Sequence, residues 1–105
     1  MKNRLTYKPR AFRFHVQSPL RYRENGQTDW CEGTVINMSR TGVLFRAAHE
    51  VEPKTMLELQ IRFPTEDPPA NVMCWGPAVR MELPQPPDSL PAVAAAISHY
   101  RFTHE

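Results

Sequence analysis

Apolar and polar side chains alternate with a period of two along much of the chain. The clearest stretch lies within 56–63, where every second residue from Leu57 onward is apolar and those between are polar or charged. Leu20 and Tyr22 alternate with arginines in the same way. Because successive side chains of a β-strand point to opposite faces, this period predicts strands with one face in a core and one in water. The chain is therefore expected to be all-β.

Polar or proline-rich segments separate the predicted strands. The strands cover 12–16 and 20–23 (one strand, or two joined by a bend), 30–36, 42–46, 56–63, 72–83 and 92–102. Gly76 and Pro77 suggest a bulge or kink in the 72–83 strand. The alanines of 92–102 are also compatible with a helix, but the prolines before this segment and its aromatic end favour a strand. About six such strands, with room for a helical turn only in the 47–54 connection, predict a small antiparallel β-barrel, because closure removes exposed edges.

Size and composition agree with that fold. A chain of 105 residues is expected to form a single domain, 1–105, since a second core needs more chain. Hydrophobic residues make up 41% of the chain, enough for a core, and 11 prolines against 4 glycines disfavour a helical bundle. No segment has the apolar length of a membrane span or the pattern of a signal peptide, so the cytoplasm is the expected location.

Metal, redox and catalytic motifs are not indicated. Cys31 and Cys74 lie far apart, without a CxxC pattern, and are predicted to be reduced and buried. The four histidines fit no metal-ligand spacing, and no cofactor is expected. No serine or cysteine accompanies a recognisable base, and there is no glycine-rich phosphate loop, so the sequence does not indicate an enzyme.

Charge is segregated along the chain. Residues 1–23 carry seven basic and no acidic side chains, whereas 24–105 carry six basic and eleven acidic ones. A cluster of like charge sets the potential around it, so an anionic ligand is expected to approach the N-terminal part. Within it, residues 1–11 are predicted to form a basic, flexible segment. A solvated tail is the simpler interpretation of the same charges.

A polar connection, Asn37-Met38-Ser39-Arg40-Thr41-Gly42, joins two predicted strands into a hairpin. Asn37 and Ser39 can bond nearby backbone amides in a tight turn, and Gly42 is expected to take the positive φ that returns the chain to the sheet. The same side chains, with the free amides of the turn, can also form a polar floor for an anion or a nucleobase edge.

With this motif the sequence resembles the PilZ domain, a bacterial receptor family for cyclic di-GMP. The second motif of the family is D/N-x-S-x-x-G, and Asn37, Ser39 and Gly42 match it in full. Segments 19–22 and 43–45, on either side of the motif, also look like the family's strands, and the resemblance covers nearly the whole chain. It implies a six-stranded antiparallel β-barrel.

The first motif of the family, R-x-x-x-R, is altered in this sequence. If Arg13 is the second arginine, Pro9 occupies the place of the first, with Lys8 and Arg10 beside it. The resemblance implies that Arg10 and Arg13 clamp phosphate and guanine, which suits a guanidinium because its donors form a fork that lysine cannot copy. Lys8 would supply a point charge.

For the hairpin, the resemblance implies that Asn37 and Ser39 meet a guanine edge and the phosphate side of the nucleotide, while Gly42 shapes the turn. Arg40 is a further candidate, since a guanidinium on the turn can stack on a purine. A solvated turn residue is the simpler interpretation of Arg40.

Three functions follow from these residues. The leading one is a non-enzymatic cyclic di-GMP receptor or adaptor, in which the nucleotide orders the basic segment against the barrel and changes the surface seen by an unidentified protein partner. The alternative is a degenerate PilZ domain that binds no nucleotide and acts as a protein–protein interaction module. Binding of single-stranded nucleic acid is least favoured, because the acidic residues after 1–23 leave little continuous positive groove.

Overall fold

Within the part of the chain that the structure describes, the alternating segments form seven β-strands. The computed structural model describes residues 18–63 and 70–104. Its strands are β1 Pro19–Glu24, β2 Cys31–Met38, β3 Gly42–Arg46, β4 Met56–Phe63, β5 Ala70–Glu82, β6 Ala92–Ala96 and β7 His99–His104. No helix forms within these two stretches of chain, so they contain none that is long and apolar enough to cross a membrane.

Six of the strands close into an antiparallel barrel. They follow the order β4-β1-β2-β3-β6-β5, and the pairing of β5 with β4 completes the ring. Because β5 has 13 residues, its first part pairs with β4 along 70–77 and its last part pairs with β6 along 78–82. β7 continues β6 beyond a break at 97–98 and pairs with 70–75 of β5, on the edge opposite to β4. The predicted six-stranded barrel is confirmed, with β7 as an extension.

The inner faces of the strands meet in one apolar core. In β4 the alternation leaves Leu57, Leu59 and Ile61 at most 1% exposed. The Tyr22 hydroxyl accepts a hydrogen bond from the Ala48 N–H at 2.9 Å, and burial raises the pKa of this tyrosine. The largest of the fully buried side chains among the described residues are Tyr22, Phe45, Leu57, Leu59, Ile61, Val35, Val72, Val93 and Cys74. Removing these groups from water is the main driving force for closing the barrel.

Most of the predicted strands agree with the observed ones. The limits of β3 and β4 are as predicted, and 92–102 is strand rather than helix, divided between β6 and β7. The 47–54 connection contains bends and a turn but no helical turn. The predicted strand at 12–16 and the basic segment 1–11 lie outside the described residues.

The irregularity of β5 lies two residues beyond the predicted position. Gly76 and Pro77 keep a regular register with β4, and the register shift falls between Ala78 and Arg80. Pro77 needs no bulge, because it pairs with the first residue of β4, at the end of that ladder, where a missing N–H costs little. Because of the shift, two successive residues, Val79 and Arg80, lie on the outer surface, and Val79 is 55% exposed.

Gly76 permits a close approach of two backbone segments. A Cβ atom at this position would overlap the carbonyl oxygen of Ala96, where the chain passes from β6 to β7. At the same place the Ser98 N–H donates to the Trp75 carbonyl at 2.8 Å. Lack of space for a side chain therefore explains the glycine.

The two cysteines are free but differ in their surroundings. Cys74 is fully buried on β5, and burial raises the pKa of its thiol to about 11. The prediction that Cys31 is also buried is wrong. Cys31 is partly exposed because it is the first residue of β2, at one end of the barrel, and its Sγ lies 3.3 Å from His49 Nε2.

We expect Gly76→Ala to lower the free energy of unfolding by about 2 kcal/mol or more, because the added methyl group collides with backbone that cannot move aside cheaply. The matched control is Gly26→Ala, at a turn with φ of 93° and nothing within 4 Å of the added atom. Only the cost of the positive φ, about 1 kcal/mol, is expected there. Urea denaturation of both variants measures the difference, and equal losses would contradict the steric explanation.

The two thiols should react in sequence. With a thiol-alkylating reagent at pH 8, Cys31 should be modified in the folded protein, whereas Cys74 should be modified only after unfolding, because it is both buried and protonated. Mass spectrometry of samples alkylated with and without guanidinium measures the order. A Cys31→Ser variant leaves a single thiol, and rapid labelling of that variant in the folded state would contradict the burial of Cys74.

Candidate functional site

The hairpin between β2 and β3 is held by its own hydroxyl groups and backbone. The Ser39 N–H donates to the Gly42 carbonyl at 2.9 Å, which closes the turn. The Ser39 hydroxyl accepts from the Thr41 N–H at 3.3 Å and lies the same distance from the Thr41 hydroxyl. These contacts are the turn interactions predicted for Ser39, and they fix its side chain next to Asn37 at the end of β2.

Asn37 carries the most unusual polar atom of the hairpin. The register between β2 and β3 shifts between Val35 and Asn37, so that Ile36 is an extra residue in β2. Among the described residues with partly or fully buried side chains, only the Oδ1 atom of Asn37 is a buried nitrogen or oxygen without a hydrogen-bond partner. Leaving a buried acceptor unpaired costs about 1 to 3 kcal/mol. A ligand that donates a hydrogen bond would remove that cost.

Gly42 has a different role from the one predicted. Its φ is not positive, and Gly26 is the only glycine with a positive φ in the described part of the chain. A Cβ atom at Gly42 would instead lie 3.3 Å from the carbonyl oxygen of Ala95 on β6. The glycine lets β3 and β6 lie close together at the end of their ladder, where Gly42 is opposite Ala96.

Arg40 lies at the tip of the hairpin and is exposed. Within the described stretches it forms no hydrogen bond or ion pair. Arg10 and Arg13, the other predicted contacts, lie outside the described residues. The structure thus brings together four of the six predicted site residues: Asn37, Ser39, Arg40 and Gly42.

A groove of about 340 Å³ runs along the outer surface of the barrel from this hairpin across β3 and β6 to β5. One row of mutually opposite residues crosses it: Asn37 faces Leu44, Leu44 faces Ala94, and Ala94 faces Arg80. Opposite residues of antiparallel strands share one face of the sheet. Asn37 and Arg80 therefore lie at the two ends of the same groove.

Arg80 was not among the predicted site residues. Its place outside the barrel depends on the register shift between Ala78 and Arg80, because the alternation of 70–78 would otherwise turn residue 80 toward the core. Its relation to Asn37 depends on the pairing of β3 with β6 and of β6 with β5, which no local pattern in the sequence specifies. Its Nε donates to Glu82 Oε2 at 3.0 Å, and both side chains are more than half exposed.

A second groove, of about 420 Å³, lies on the outer surface around β1 and β4. Its lining includes side chains of both signs, such as Arg21 and Glu32, and Arg21 Nε already donates to Gln60 Oε1 at 3.0 Å. Among the described residues that line the groove beside the hairpin none is acidic, and they include Asn37, the residue with the unpaired buried acceptor. This groove is therefore the better candidate for an anionic ligand. No three His, Cys, Asp or Glu side chains within 18–63 and 70–104 are grouped so as to hold a metal ion.

Comparison with known proteins agrees with this class of small barrel carrying a polar hairpin. The family model for the PilZ domain matches residues 7–75. In solved structures, the chain is similar to the Bacillus subtilis inhibitor of motility MotI/DgrA, with a TM-score of 0.72 at 13% sequence identity. The match covers 91% of this chain and 45% of that protein, so the chain spans less than half of its length. No curated protein sequence matches significantly.

The match to the family model includes the hairpin motif and β1 to β4, about two thirds of the chain. The chain therefore belongs to the PilZ domain family, as its sequence resemblance predicts. PilZ domains are receptor and adaptor domains rather than enzymes.

Asn37→Leu should leave the free energy of unfolding unchanged or raise it by about 1 kcal/mol, because it removes an unpaired buried acceptor and keeps a similar volume. Ser39→Ala, two residues away, should lower it by about 0.5 to 1 kcal/mol through loss of the bond from Thr41. Urea denaturation of both variants tests the contrast. A large loss of stability in Asn37→Leu would mean that the Asn37 carbonyl oxygen is paired in the folded protein.

Proposed function

We propose that this PilZ domain is a non-enzymatic receptor for cyclic di-GMP, and that the nucleotide orders the basic N-terminal segment against the barrel. The observation that carries the proposal is Asn37, which lines the groove beside the family's hairpin motif and whose buried Oδ1 has no hydrogen-bond partner within the described residues. Guanine offers N–H donors at its base-pairing edge and can donate a hydrogen bond to such an acceptor. Adenine has fewer donors on the same edge.

The geometry of the hairpin supports a base and a phosphate side by side. The Ser39 hydroxyl is held by Thr41, and Arg40 lies exposed at the tip, with no hydrogen-bond or ion-pair partner among the described residues. A guanidinium at this place can stack on a purine or pair with a phosphate oxygen. We propose that Asn37 and Ser39 contact the guanine edge and the phosphate side, and that Arg40 stacks on the base. Gly42 allows the close packing of β3 against β6.

The charge distribution supports the ordering of the N-terminal segment. Seven basic side chains in residues 1–23 repel one another, and a ligand with two phosphates reduces that repulsion when the segment closes over it. Arg10 in this segment and Arg13 just after it are the proposed phosphate and guanine contacts. A ligand that binds the closed arrangement better than the open one shifts the population toward closure, and a protein partner would recognise the resulting surface. The proposed location is the cytoplasm.

The alternative, a PilZ domain that binds protein and no nucleotide, is supported by exposed aromatic side chains on β7. Tyr100 and Phe102 are 45% and 59% exposed and contact each other with ring centroids 5.7 Å apart. They are opposite Cys74 and Val72 on β5, which face the core. β7 thus extends the apolar inner face of the barrel into solvent, as interaction surfaces often do.

Isothermal titration calorimetry of the purified protein with cyclic di-GMP tests the proposal. We expect saturable binding, with the affinity lowered at least tenfold in Arg13→Ala and in Asn37→Ala, because each removes a charge-assisted or buried hydrogen bond. Arg10→Ala tests whether the arginine beside Pro9 replaces the first arginine of the family motif.

GTP is the ligand control, since it shares the base but lacks the cyclic dinucleotide. A flat titration with a protein that unfolds cooperatively would refute the receptor function and favour the alternative. Unchanged affinity in both Arg10→Ala and Arg13→Ala would show that the N-terminal arginines are not contacts, even if the nucleotide binds.

A further inference from the structure

Arg80 lies at the far end of the groove that begins at Asn37. The row Asn37, Leu44, Ala94, Arg80 crosses four strands on the outer surface of the barrel. Adjacent strands are about 4.8 Å apart, so the row spans about 14 Å, less the curvature of the barrel. The groove therefore has a hydrogen-bonding end on the hairpin and a cationic end on β5.

The floor between these ends is apolar and low. Leu44 and Ala94 lie in the row itself, and Gly42 and Ala96 are opposite each other next to it. Methyl groups and a bare glycine backbone leave room above the sheet, and a flat apolar surface suits one face of a purine. An acceptor, an apolar floor and a cation in this order match the base edge, the base plane and the phosphate of one nucleotide unit.

The guanidinium of Arg80 is held only loosely by its present partner. The ion pair with Glu82 joins two side chains that are 57% and 54% exposed, and exposed pairs of this kind contribute little to stability. The carboxylate oxygens of Glu82 can turn to water when a stronger acceptor is available to Arg80. The pair also positions the Arg80 side chain beside the groove without blocking it.

We propose that Arg80 is a nucleotide-binding residue, a fourth arginine beside Arg10, Arg13 and Arg40, which contacts a phosphate oxygen of the bound dinucleotide from the wall of the barrel. This inference rests on the proposed function, and it concerns a residue outside both sequence motifs. A guanidinium carried by a barrel strand supplies a charge-assisted contact in a protein whose first motif has Pro9 where the family has an arginine. Glu82 opposes binding, because it competes for Arg80 and repels the phosphate.

Four variants test this role by titration with cyclic di-GMP at constant ionic strength. We expect Arg80→Ala to weaken binding about tenfold or more, the loss typical of a hydrogen bond to a charged group. Glu82→Gln should strengthen binding, because it frees Arg80 and removes a negative charge. Arg101→Ala, which removes the same charge from β7 outside the groove, should leave the affinity within about twofold of the wild type.

The fourth variant, Ala94→Leu, keeps every polar group and fills the floor. It should weaken binding without lowering the urea midpoint, because the side chain of Ala94 points outward. If wild-type protein binds and Arg80→Ala behaves like Arg101→Ala, the role of Arg80 is overturned and the receptor function stands. If Glu82→Gln weakens binding, the competition between Glu82 and phosphate is overturned. A flat titration of the wild-type protein overturns both the receptor function and the role of Arg80.

Discussion

Closure of the barrel depends on one ladder, the antiparallel pairing of β4 with the first part of β5. Eight residue pairs, from Met56 opposite Pro77 to Phe63 opposite Ala70, join two strands that would otherwise be edges of an open sheet. A slip of one residue would turn the apolar face of β4 into water, so the register is strongly specified. Closure by this ladder turns the inner faces of the other strands toward one core and leaves the outer faces of β2, β3, β6 and β5 as a continuous wall.

The sequence was informative about the fold wherever one face of a strand is buried. The alternation in β4 and the polar hairpin after β2 predict the limits of β3 and β4, because period and turn chemistry are local signals. The position of the β5 irregularity was predicted wrongly. Gly76 suggested a bulge, whereas the reason for this glycine is the close approach of the Ala96 backbone, which is distant in sequence. The division of 92–102 into β6 and β7 has the same origin, because the break lies where the chain meets Thr41 and Trp75.

The candidate site was predictable only in its local part. Asn37, Ser39 and Arg40 belong to a six-residue stretch whose residue types already suggest a polar turn. The role of Gly42 was misjudged, because glycine serves a positive φ and a close approach equally well, and only the position of Ala95 distinguishes them. Arg80 could not be linked to the hairpin at all, since that relation requires two strand pairings, one of which, β3 with β6, joins opposite halves of the chain.

The groove is built from chain segments that are remote in sequence, and this gives any occupant a mechanical role. Gly42 opposite Ala96 belongs to a ladder that joins the first half of the chain to its end. Such pairings close large loops, and partly open forms of the protein lose them together with the groove. A molecule bound across β2, β3, β6 and β5 therefore stabilises the pairing of these strands and makes local opening of the barrel wall less favourable while it stays bound.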